Sequence, residues 1–194
     1  MKNKKNTWEE LSKKRNGVHE KATFTKQEKV TFQYKNNIIL LEGYMTIVGN
    51  TPIVNTRIRT IFKNPHQLNF KIYHEGFFSS IGKMLGMQDI LIGDDEFDQR
   101  FVVKSNDEKK IKQLLNDYKL KSLLLFGKPI TIETKLKDKC LKSSDESILS
   151  YEATGIIKDL DTLENILNIF ERFIECMIEI GFSDESQITS VLKS

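Results

Sequence analysis

The stretch that decides the fold runs from Lys29 to Tyr73, KVTFQYKNNIILLEGYMTIVGNTPIVNTRIRTIFKNPHQLNFKIY. Apolar and polar residues recur here with a period of two, the spacing that sends successive side chains to opposite faces of a strand. Val30, Phe32 and Tyr34 alternate with Thr31 and Gln33, and Asn36-Asn37 offers a tight hairpin turn. Ile38 to Val48 reads as a longer, more apolar strand turned by Gly49-Asn50. Val54, Thr56, Ile58, Thr60 and Phe62 define a third strand, Asn64-Pro65 breaks it, and Leu68, Phe70 and Ile72 line a fourth. Four consecutive strands with short turns predict an antiparallel meander whose apolar face needs a covering layer.

That cover is sought on both sides of the meander. Upstream, Thr7 and Glu10 have capping-box spacing, Trp8 and Leu11 make a short apolar stripe, and Gly17 suits a helix end. Downstream, residues 76–93 (GFFSSIGKMLGMQDILIG) combine a short helical spacing with a return to extended spacing at Ile90 and Ile92. Phe101 and Val103 predict a strand, and Ser105 or Asn106 caps one helix from Asp107 to about Phe126. Ile130 and Ile132 predict a further strand, residues 135–147 a loop, and Ile148 to Ile157 the last strand. The closing helix is the plainest element. Leu163, Ile166, Leu167, Phe170, Phe173, Ile174, Met177 and Ile178 recur at three and four, between Asp161-x-x-Glu164 and Gly181. The expected fold is α+β: a meander of about four strands, then β-α-β-β-α, with the long C-terminal helix packed on the sheet. Residues 1–18 are expected to form an N-terminal helix and arm, 19–181 a single domain, and 182–194 a tail.

Composition sets the outer limits. The 194 residues are 39% hydrophobic and 29% charged, the balance of a globular chain rather than a disordered one. The net charge of +3 is small, but residues 1–35 hold ten Lys/Arg against four Asp/Glu, a balance of +6. A basic leading segment of this kind makes a weak nucleic-acid binder one alternative. It has no Arg-rich or aromatic-interleaved stripe, which disfavours that partner. The two cysteines make no disulfide framework: Cys176 reads as a buried small hydrophobe, and Cys140, among Lys137, Lys139 and Lys142, as a free surface thiol. The opening MKNKKNTWEELSKKRNG has no apolar core of a secretory signal, and no window of 18 apolar residues suggests a membrane span. A cytoplasmic location is the expectation.

Three groups of residues invite a chemical reading. Asp94, Asp95, Glu96 and Asp98, with His74, are the densest set of hard-cation ligands, and they support a metal-dependent hydrolase as the alternative function. The alternate ligand spacing and central glycine of a calcium loop are missing, however, and the second histidine of H-E-x-x-H is replaced by Phe78. Turn chemistry at Gly93-Asp94, with Phe97 and Phe101 in the core, accounts for the same residues. No phosphate-cradling glycine pattern or nucleophile elbow is present. Phe77, Phe78, Ile81, Met84 and Met87, punctuated by glycines, form an adaptable apolar surface suited to a ligand or partner.

The run Glu75-Gly76-Phe77-Phe78, then Gly86-Met87-Gln88-Asp89-Ile90, then Ile92-Gly93-Asp94-Asp95-Glu96-Phe97-Asp98 and Phe101-Val102-Val103-Lys104-Ser105-Asn106-Asp107 resembles an uncharacterised family of bacterial proteins, a domain of unknown function with an IGDxEFDxxFxVKSND-type motif. The resemblance spans about residues 68–126, implies a bacterial source, and carries no activity to transfer. The function expected is therefore a non-enzymatic binding or protein-interaction module of a bacterial cytoplasm. It would need no cofactor, and its partner would be a protein or an apolar small molecule, through a groove near Phe77 to Met87 or an exposed sheet face. Self-association is left open.

Overall fold

The structure, a computed structural model, describes residues 6–75, 87–128, 130–184 and 188–192. Its elements in chain order are α1 (Thr7–Lys14), β1 (Val18–Glu20), β2 (Lys29–Tyr34), β3 (Asn37–Val48), β4 (Thr51–Lys63), β5 (Phe70–His74), β6 (Gln88–Ile90), α2 (Asp95–Arg100), β7 (Phe101–Ser105), α3 (Glu108–Leu115), α4 (Tyr118–Phe126), β8 (Thr131–Lys135), β9 (Glu146–Ala153) and α5 (Leu160–Glu179). The described strands form one antiparallel sheet of nine, in the order β1-β2-β3-β4-β9-β8-β5-β7-β6, with α5 packed along it. The α+β reading and the closing helix are as expected from the sequence.

The antiparallel meander of about four strands is present as β1-β2-β3-β4, but the strand at Phe70–His74 is not its fourth member. Strands β2, β3 and β4 pair in sequence, and β1 extends them at the edge. The fourth predicted strand does not follow β4. Instead β9 pairs with β4, β8 with β9, and β5 lies between β8 and β7. The carrier of this jump is Asn64-Pro65. The Asn64 side chain accepts from the Leu68 amide (2.9 Å) and donates to the Leu68 carbonyl (3.0 Å) and to Ser147 Oγ on β9 (2.9 Å). It leads the chain past two strand positions before β5 begins. Alternation assigns a residue to a face; it says nothing about which strand lies alongside.

Local punctuation differs in similar ways. Asn6, one residue before Thr7, caps α1 by accepting from the Trp8 and Glu9 amides, and Asp159 caps α5 from the Thr162 amide. The acidic turn is the short helix α2, capped by Asp94. The predicted helix 107–126 is two helices, α3 capped by Asp107 and α4 by Asp117. The turn of the first hairpin is Lys35-Asn36, with Lys35 at φ +48°.

One face of the sheet meets α5, α4, α3 and α1. Leu163, Ile166, Leu167, Phe170, Phe173 and Ile174 of α5 bury against Val30, Phe32, Ile39, Leu41, Ile58, Phe70, Ile72 and Ile132 from the strands. Phe173 stacks on Phe70 with ring centroids 5.5 Å apart. A void of only about 10 Å³ lies where Phe173, Ile174 and Met177 of α5 meet Phe62, Phe70 and Leu149, so the described residues pack there as filled core. Among the described residues, no helix is long and apolar enough to cross a membrane.

Candidate binding site on the outer face of the sheet

The strand registers place Lys29 and Thr31 (β2), Ile38, Leu40 and Glu42 (β3), Arg57, Arg59, Ile61 and Lys63 (β4) and Glu146, Ile148 and Ser150 (β9) on the face away from the helices. Most of this face is a lattice of matched charges. Glu42 accepts from Arg57 and Arg59, Lys63 pairs with Asp145 (3.1 Å) and Glu146 (3.2 Å), and Lys135 with Glu152 (3.0 Å). One corner is apolar instead. Ile61 and Ile148 are buried there with Cys140, beneath Leu141, Ile188 and Leu192. The loop expected at 135–147 is folded down onto the sheet, because the Asp138 carboxylate accepts from the Cys140 amide (2.8 Å) and turns the thiol inward. Cys140 is consequently buried, not the surface thiol expected from its lysine neighbours.

The segment 188–192 is pinned across this corner by a single carboxylate. Glu146 accepts from the Thr189 amide (2.7 Å), the Thr189 hydroxyl (3.0 Å) and the Ser190 hydroxyl, while Ser190 Oγ accepts from the Lys142 amide (2.7 Å). Between segment and strands lies a cavity of about 310 Å³. The strands contribute Lys29, Thr31, Ile38, Leu40 and Ile61, the β2–β3 turn Asn36, and the segment Ile188, Ser190, Val191 and Leu192. Its size lies at the lower end of small-molecule sites, and its makeup, aliphatic with a few polar groups, is theirs too. Lys29 is already held by Glu20 at 3.0 Å, so the cavity presents no uncompensated positive charge from it.

Burial raises the pKa of Glu146, but the Ser190 hydroxyl, the Thr189 amide and Lys63 outweigh it and hold the group below its ordinary 4.5. A carboxylate with a lowered folded-state pKa stabilises the docked segment fully above the unfolded value. That contribution is lost as pH falls through the folded value. The Thr189 amide resonance is accordingly expected to titrate with a midpoint below 4.5, and Glu146→Gln to abolish the titration. A flat Thr189 shift between neutral pH and the onset of acid unfolding would count against this anchoring.

The described residues among those singled out by sequence do not line this cavity. Phe77, Phe78, Ile81 and Met84 lie outside the described residues, and Met87 is half-buried just before β6. The four carboxylates near 94–98 and His74 do not come together as a metal-ligand group among the described residues. Asp94 caps α2 and meets Lys121 Nζ at 2.5 Å, which, with the backbone bond from Phe97, holds its pKa low. Asp98 accepts from the Ile92 and Gly93 amides (2.9 and 2.8 Å), Glu96 lies 3.6 Å from Arg100, and His74 packs edge-on to Phe101. Asp94 and Glu96 do line a second hollow of about 190 Å³, with Arg100 and Lys121 beside them. The described acidic and thiol side chains that approach one another are Asp117, Cys176 and Glu179, and Arg172 fills their centre. Its guanidinium reaches Asp117 at 2.6 and 3.0 Å and Glu179 at 2.9 Å. Arg172 drives Asp117 down to about 2, while burial, with Asp117 adding to it, pushes the Cys176 thiol up to about 12. A protonated thiol beside an arginine-bound carboxylate is a structural tie between α4 and α5. Among the described residues of the leading segment, Lys13 and Lys21 pair with Glu9, Lys14 with Glu164, Arg15 with Glu171 and Lys29 with Glu20.

The described residues define an α+β architecture with a nine-stranded antiparallel sheet, helices on one face and a partly covered cavity on the other. No family model matches the chain and no curated protein matches it, consistent with the resemblance to an uncharacterised family. Among solved structures it is similar to the crystal structure of the mycobacterial trehalose monomycolate transport factor A, TtfA, with a TM-score of 0.55 over 88% of this chain and 92% of that one. Identity is 9%, so the likeness is one of fold.

Proposed function

We propose that the chain is a non-enzymatic binding module whose site is the outer-face cavity, and that its ligand is an apolar small molecule or the apolar tip of one. The observation that carries this reading is the 310 Å³ space between Ile38, Leu40 and Ile61 below and Val191 and Leu192 alongside, on a face whose charges are otherwise paired off. Water in such a space finds few partners, and apolar surface displacing it is favoured by about 25 cal/mol per Å². That a chain of similar fold is described as a transport factor supports an accessory role over a catalytic one.

N-phenyl-1-naphthylamine, a neutral dye that fluoresces in apolar surroundings, provides the test. The expected result is saturable binding at one site, reduced at least about tenfold by Thr31→Trp, which fills the cavity from a half-exposed position. Unsaturable binding, or binding that Thr31→Trp leaves unchanged in a folded protein, would remove the cavity as the site.

A further inference from the structure

The β3–β4 hairpin outruns the sheet. On one side β2 stops opposite Glu42, with a last bond from the Gly43 amide to the Glu28 carbonyl (2.8 Å). On the other, β9 stops at Thr56↔Ala153. Beyond these points β3 and β4 continue alone to the Gly49-Asn50 turn, paired through Val48↔Thr51. In a two-residue hairpin the closing pair exchanges backbone bonds, so Val48, Thr46 and Tyr44 bond to β4, whereas Met45 and Ile47 turn their N–H and C=O groups outward. No hydrogen bond engages those outward groups among the described residues.

Such an edge is normally blunted by charge or proline. The edge of β4 carries Pro52; that of β3 carries neither. From Gly43 to Thr56 fourteen consecutive residues hold no charge, in a chain that is 29% charged. Met45, Ile47 and Val48 are 53%, 74% and 62% exposed. Unpaired backbone groups on Met45 and Ile47 argue against burial in lipid, where each would cost several kcal/mol.

We infer that Tyr44–Val48 is a dimerisation edge, pairing antiparallel with the same edge of a second copy to continue the sheet across a twofold axis. The segment complements itself electrostatically. With the axis at Thr46, Met45 of one protomer lies opposite Ile47 of the other, and every outward donor on one edge meets an acceptor on its partner. The two Thr46 side chains form a cross-strand pair at the axis, of the kind that stabilises sheets. Five residues on each side make a small interface, below about 1,200 Å² in total, which places the dimer among weak, concentration-dependent ones.

Sedimentation equilibrium of the full chain from about 10 μM to about 1 mM tests it, with a monomer–dimer equilibrium expected inside that range. Ile47→Lys, at an exposed position, sets a cation from each copy beside the axis and is expected to weaken association at least about tenfold with an unchanged circular dichroism spectrum. Amide exchange at Met45 and Ile47 is expected to slow as concentration rises. A chain that stays monomeric at the highest concentration would overturn the inference, as would a dimer in which those two amides gain no protection. So would a monomer that co-sediments with phosphatidylglycerol vesicles through this hairpin.

Discussion

Glu42→Ala is expected to destabilise the protein by about 3–5 kcal/mol, the usual cost of removing one partner of a buried ion pair. Glu42 is 1% exposed, and one of its oxygens takes Arg57 Nε at 3.0 Å, Arg59 Nε at 2.9 Å and Arg59 Nη2 at 2.5 Å. Arg59 is itself buried, so losing the carboxylate leaves much of its desolvation uncompensated. The loss is a large share of the roughly 5–15 kcal/mol that holds such a domain together. Replacing Glu42 and Arg59 together by methionine is expected to restore most of it, since two well-packed apolar side chains carry no desolvation penalty. Urea unfolding of the two single variants and the double variant measures the coupling. A single-variant cost under about 1 kcal/mol would show that the pair is solvated and ordinary. A further consequence is register. A slip of one residue between β3 and β4 would turn Glu42 into the helix-side core, so the pair penalises the misaligned sheet.

Trp8→Ala is the second large effect, expected at about 3–5 kcal/mol. Helix α1 is short, and isolated helices of its length are marginal in water, so its order depends on docking. Trp8 is 2% exposed and its Nε1 donates to the Ile157 carbonyl at 2.9 Å, just ahead of α5. Thr7 donates to the Lys158 carbonyl at 2.9 Å, and Arg15 binds Glu171 at 2.7 Å and Asn168 on α5 itself. Trp8→Phe keeps most of the burial and drops the hydrogen bond, for an expected cost nearer 1 kcal/mol. Unfolding is followed by circular dichroism, because Trp8 is the sole tryptophan and its fluorescence leaves with it. A loss below about 1 kcal/mol in Trp8→Ala would show that the docking of α1 contributes little to stability.

Much of the architecture is legible one residue at a time. Alternation at Val30-x-Phe32 and at Thr56-x-Ile58-x-Thr60-x-Phe62 reports which face each strand buries, and the recurrence from Leu163 to Met177 reports a helix with one buried side. These are local signals, because the backbone periodicities of two and 3.6 are local. Even the outer-face site left a trace. Ile38-Ile39-Leu40-Leu41, Ile61-Phe62 and Ile148-Leu149 break alternation, as strands covered on both faces do. Ile188, Val191 and Leu192 are the apolar residues that supply part of that cover.

What local pattern leaves open is decided by contacts distant along the chain. Strand order depends on Asn64 reaching Ser147, 83 residues away, and the cavity on Glu146 holding Thr189 and Ser190 more than 40 residues downstream. The fate of the charges is of the same kind. Asp94 and Asp98 read as metal ligands because four acidic residues crowd five positions, yet Lys121 and three backbone amides occupy them in the fold. Sequence pattern accounts for most of the element types, the buried faces and the closing helix, since each follows from short-range sterics and periodicity, whereas α2 and the break between α3 and α4 carry no such periodic signal. The tertiary structure alone decided the strand order, the pairing of nearly every buried charge and the position of the cavity, because those depend on which distant groups converge to satisfy one another once water is excluded.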